Sequence, residues 1–211
     1  SPDSWLLLHQ GRRDGDFAML LASVNGAAPQ VVSRGRDLGA GSFARDGKAI
    51  LVPRSVEQHI AMILLADLKT VIPLTKDPGI EHQPEQSPDG HWLAFTSTQS
   101  GHSEVVLTEF QDDGTKVTIG EQRLPVSCAG GGADRHWRKD GKEILYTSPS
   151  GQLMSVSVTI AGKSATLGRP TPLPITSTDS GGWGTNSTHT TFVVVEASRA
   201  VHQTFRVITG R

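Results

Sequence analysis

A chain of 211 residues is long enough for one sizeable core, and all-β domains commonly run to this length. Its formal net charge is -1, and its 20 Lys and Arg are scattered in runs no longer than two, so it has no basic field for nucleic acid or anionic lipid. The single cysteine, Cys128, excludes an internal disulfide and a cysteine-based zinc site, and no apolar run approaches the ~18 residues that span a bilayer.

The 23 glycines and 12 prolines predict many turns, and in chain order the turns repeat. "SPDSWLLL" places Asp3, with Ser4 in the position of the turn glycine, and the strand Ala18-Met19-Leu20-Leu21 follows. "ARDGKAILV" places Asp46-Gly47 and is followed by Ala61-Met62-Ile63-Leu64. "SPDGHWLAF" places Asp89-Gly90, and Glu104-Val105-Val106-Leu107 comes next. "RKDGKEILY" places Asp140-Gly141. The four aspartates are separated by 43, 43 and 51 residues, and Val31, Leu74 and Val117 keep the same 43. A degenerate fifth copy, "TNSTHTTFVVVEASRAVHQTFRVIT", carries Phe192 where Ile144 stood and lacks the Asp-Gly. Each unit reads as four short strands. "SVEQHIAMILLADLKT" comes nearest to a helical pattern, but it aligns with two strands of its neighbours.

Four strands every ~40–50 residues predict an all-β fold, a β-propeller of four-stranded antiparallel blades with about five blades' worth of repeats. The units fall near 1–39, 40–82, 83–133, 134–181 and 182–211. The first lacks an innermost strand and the fifth a fourth strand, so a segment of a larger propeller is expected, with a strand-mediated homodimer as the alternative. Pro at the second turn position, Gly at the last, and an Asp that binds its own backbone make Asp3, Asp46, Gly47, Asp89, Gly90, Asp140 and Gly141 turn formers. A catalytic carboxylate is needed once, not in four copies.

On "SPDGHWLAFTSTQSGHSEVVLTEF" and "HWRKDGKEILYTSPSGQLMSVSV", the chain resembles the TolB-like, WD-repeat-like propeller family, over essentially its whole length. The second segment is similar to C-terminal propellers of bacterial multidomain proteins fused to kinases or winged-helix regulators. The resemblance implies a module for protein or ligand binding, and it carries no catalytic residue across.

In such a topology the inter-blade connections share one face, where binding is expected. The segments 34–41, 76–84, 121–136 and 176–184 bring Arg36, Asp37, His82, Arg135, His136, Asp179 and Trp183 toward it as candidate ligand-binding residues. The expected partner is a protein or peptide, or a small ligand in the channel mouth. No cofactor or metal site is expected: the eight histidines form no HExxH, "AGKS" at 161–164 lacks the first glycine of a phosphate loop, and there is no Gly-x-Ser-x-Gly. The rival function is a propeller glycoside hydrolase, for which Asp37, Glu81, Asp134 and Asp179 are the available carboxylates, with Glu81 and Asp134 as the pair.

Overall fold

The computed structural model describes residues 6–39, 41–114, 116–127, 131–176, 183–185, 191–196 and 204–209. Their strands form five sheets that follow one another along the chain. The first has β1 (Leu6–Arg13), β2 (Asp16–Ser23) and β3 (Gln30–Arg34). The second has β4 (Ser42–Phe43), β5 (Ala49–Arg54), β6 (His59–Leu64) and β7 (Val71–Pro73). The third has β8 (Glu81–Gln86), β9 (Trp92–Ser97), β10 (Glu104–Asp112) and β11 (Val117–Ile119), with β12 (Leu124–Pro125) also on β10. The fourth has β13 (Ala133–Trp137), β14 (Glu143–Thr147), β15 (Gln152–Ala161) and β16 (Ser164–Leu167), with β17 (Thr171–Thr176) also on β15. The last has β18 (Trp183–Thr185), β19 (Thr191–Glu196) and β20 (Thr204–Thr209). Each sheet is an antiparallel meander of sequence neighbours, the blade pattern of a β-propeller. No helix among the described residues is long and apolar enough to cross a membrane.

The Asp-Gly turns join the first two strands of a blade by one repeated set of bonds. Gly47, Gly90 and Gly141 have φ of 71°, 82° and 72°, and their N–H groups donate to the carbonyls of Ala44, Ser87 and Arg138, each at 2.9 Å. The Oδ1 atoms of Asp46, Asp89 and Asp140 accept the N–H two residues ahead at 2.9, 3.0 and 3.0 Å. Neighbouring turns also clasp one another. The Arg45 N–H donates to Gln86 Oε1 and its Nε to the Pro88 carbonyl, both at 2.6 Å. Asp3 lies outside the described residues.

The longer third and fourth units have a simple cause. The outermost strand leaves its sheet and returns, so β11 and β12 both pair with β10, and β16 and β17 both pair with β15.

The chain divides into two compact units, Ser1–His102 with Val106–Leu124, and Ser103–Val105 with Pro125–Arg211. In the first, β5 shows why a blade is not stable alone. Ala49 and Leu51 pack with Ile60, Met62, Leu93, Phe95 and Phe110, toward the third sheet. Ile50 and Val52, on the opposite face, pack with Met19, Leu38 and Ile63, toward the first sheet. Alternate residues serve alternate neighbours, and burying each of Ile50, Leu51 and Val52 contributes roughly 1.5–3 kcal/mol. In the second unit, Leu145, Leu153 and Ile175 form a core within the fourth sheet.

Candidate functional site

In the first unit, the links between sheets are tied to the hairpins between second and third strands. Ser55 N–H donates to the Asp37 carbonyl at 2.7 Å, and 43 residues on, Thr98 N–H donates to the Ile80 carbonyl at 3.0 Å. The link 35–41 is thereby fixed over the 55–58 hairpin. Beside it opens a cleft of about 370 Å³ lined by Gln10, Phe17, Met19, Arg36, Leu38 and Ser55 among others.

The lining follows from one hairpin. Asp14 and Gly15, with φ of 55° and 89°, form the two-residue loop between β1 and β2, an Asp-Gly pair suited to a type I′ turn. That loop sets Arg12 opposite Phe17 and Gln10 opposite Met19, all on one face of the sheet. Gln10 Nε2 donates to the Leu38 carbonyl at 3.0 Å and anchors the link. The Arg36 Cζ lies 3.9 Å from the centre of the Phe17 ring, and the Arg12 Cζ lies 4.7 Å from it. Arg36 is exposed, and Phe17 is half-buried. The Asp37 carboxylate next in sequence is engaged by Arg54 Nη2 at 3.4 Å.

A second polar group lies where the second sheet meets the third. Glu81, 1% exposed, opens β8. Its Oε2 accepts the Thr75 hydroxyl, whose oxygen in turn accepts the Ile60 N–H at 2.8 Å. His59 Nδ1 is 3.6 Å from the same carboxylate oxygen. Burial raises the Glu81 pKa above the usual carboxylate range; the Thr75 hydroxyl pulls the other way, Asp77 adds to the rise, and His59 and Arg123 oppose it. Asp77 itself is paired with Arg123 Nη2 at 2.5 Å.

The other candidates are placed as follows. His82, Arg135 and His136, expected in links, stand on strands β8 and β13. The links at 76–84 and 121–136 therefore overlap the inner strands, because Glu81 already pairs with Ser97 and Ala133 with Thr147. Arg135 is 4% exposed and so is not open to a ligand. Asp134, with φ 46°, sits at a register shift between Ala133 and His136, and Gln83, with φ 52°, sits at the equivalent shift in β8. Asp134 is thus a bulge residue. Glu81 and Asp134 belong to different units. Trp183 opens β18, and Asp179 and Cys128 lie outside the described residues. Sequence reasoning missed Phe17, Arg12 and Ser55; the Asp14-Gly15 loop was the available signal for the first two.

No family model and no curated protein matches the sequence. Among solved structures, TolB from Acinetobacter baumannii matches with a TM-score of 0.72 at 19% identity, over 99% of this chain and 50% of its own. The periplasmic gluconolactonase of Pseudomonas aeruginosa matches with 0.63 at 16%, over 92% of this chain and 61% of its own. A chain of a nidogen–laminin complex matches with 0.56 at 14%, over 85% and 68%. The chain has the β-propeller fold of TolB-like proteins and spans half the length of the Acinetobacter protein.

Proposed function

We propose that this run of TolB-like propeller blades is a non-catalytic binding module that takes a protein, peptide or small-ligand partner on its inter-blade loop face. The supporting observation is the cleft beside the 35–41 link, where an exposed guanidinium, an aromatic ring and a hydroxyl converge with apolar side chains. Fold alone does not choose between binding and catalysis, since a gluconolactonase and a chain of a nidogen–laminin complex share it. The buried state of Glu81 and the engagement of its Oε2 by Thr75 favour a structural carboxyl over one that reaches a substrate.

The test is a thermal-melt screen of the purified chain against short peptides, mono- and oligosaccharides and nucleotides. A ligand at a hundred times its Kd stabilises by roughly 2.7 kcal/mol, enough for a shift of a few degrees. A saturable shift that Ser55→Trp abolishes, by filling the cleft mouth from an exposed position, is the expected result. A shift that S55W leaves intact would move the site elsewhere.

A further inference from the structure

Resting on that loop-face binding function, we infer that the cleft beside Phe17 is an anion site that holds a carboxylate of the partner on Arg36, with Arg12 at the same ring adding positive charge beside it. Both guanidiniums approach the same ring, at 3.9 and 4.7 Å from its centre. Two guanidiniums at one ring concentrate positive charge beside the cleft, which an incoming anion would offset.

The nearby carboxylates are committed elsewhere. Asp14 pairs with Arg34 at 3.3 Å, and Asp37 pairs with Arg54 at 3.4 Å. Glu57 also takes Arg54, at 2.7 Å. Asp16 is opposite Arg13 in the hairpin register, so its side chain leaves by the face away from Phe17. Arg12 spends one Nη1 donor on the Gly15 carbonyl at 3.0 Å and keeps the rest of its fork. Among the described residues, no carboxylate pairs with Arg12 or Arg36, and both are exposed.

A carboxylate fits this setting better than a bulkier anion. Its two oxygens match the planar guanidinium fork, and its short methylene stem suits the Phe17, Met19 and Leu38 walls. A cleft of about 370 Å³ accepts one acidic side chain or one small organic acid.

The test is isothermal titration of the purified chain with three probes: a short, end-blocked peptide with one glutamate, the same peptide with glutamine, and free glutarate. Expected is saturable binding of the glutamate peptide, weakened by salt, with no binding of the glutamine peptide. Arg36→Gln and Arg12→Gln should each weaken it about tenfold while the melting temperature is unchanged. Glutarate binding as tightly as the peptide would identify a small acid as the natural source; weaker binding would identify a peptide side chain. Equal binding of the glutamate and glutamine peptides would overturn the anion site and leave the binding module standing. So would acid-probe binding that both arginine variants retain. Loss of every ligand response, in this titration and in the melt screen, would remove both.

Discussion

Glu81 stands where the repeat otherwise carries an apolar side chain, since Leu38 lies 43 residues before it and Ala133 opens the next inner strand. The exchange places an acid against the core, and burial raises its pKa. A carboxyl whose folded pKa is raised favours the folded state when protonated. Its contribution is complete below the unfolded value of about 4.3 and is lost as pH rises through the folded value. Near neutral pH the native chain therefore bears the cost of this buried charge. Glu81→Gln keeps an acceptor for the Thr75 hydroxyl and removes that cost. We expect the variant to be more stable than the native chain near neutral pH, with the difference shrinking as pH falls toward about 4. Urea unfolding across that range reads it directly, and parallel curves for the two proteins would mean that Glu81 is not the source. The companion prediction concerns Gln58, exposed and held at φ 61°. Gly15, Gly101 and Gly151 take the corresponding place in the other hairpins, with φ of 89°, 89° and 80°. Gln58→Gly relieves the left-handed strain but frees the unfolded chain, for a net gain of about 0.5 kcal/mol. Destabilisation in the same unfolding assay would refute it.

Each blade's inner hairpin is held by its own turn rather than by a shared active site. Asp89 Oδ1 accepts from His91 N–H at 3.0 Å and from the Ser87 hydroxyl at 2.5 Å, and that hydroxyl oxygen accepts the Trp92 N–H at 2.9 Å. Asp46 and Asp140 repeat the backbone bond. Asp89→Ala should cost about 1–2 kcal/mol, and so should Asp140→Ala, which also loses a pair with Arg138 at 3.3 Å; Asp46→Ala, losing the backbone bond, should cost about 1 kcal/mol. None of the three should alter the affinity of a ligand bound on the opposite, loop face. An affinity loss in D89A with unchanged stability would return that carboxylate to the list of functional groups. The third-strand cap also repeats, and it shows what a blade needs from its sequence. Thr75 Oγ1 accepts the Ile60 N–H at 2.8 Å, and Ser127 Oγ accepts the Val105 N–H at 2.9 Å. A hydroxyl is the common requirement, so Ser and Thr exchange freely between units.

At the scale of the molecule, blade identity is legible in the sequence because its turns need Asp and Gly at fixed places. The ends of the links are not, because the bulges at Gln83 and Asp134 carry pairing back to Glu81 and Ala133, and Gln carries no turn signal. The candidate cleft is half legible. Arg36 stands in a visible loop, whereas Arg12 and Phe17 meet only through a cross-strand register set by Asp14-Gly15. The first sheet raises a question that belongs to the whole assembly. Among the described residues, the strand pairing of β1 is with β2, and no described strand covers the second edge over residues 7–13. Leu7 on that strand is 57% exposed. Open strands with exposed apolar side chains invite strand addition, and lysine on such an edge disfavours it. If a second copy pairs along that edge, sedimentation velocity should show a dimer whose population rises with concentration and which Leu7→Lys converts to monomer. A monomer at every concentration would exclude self-pairing at this edge.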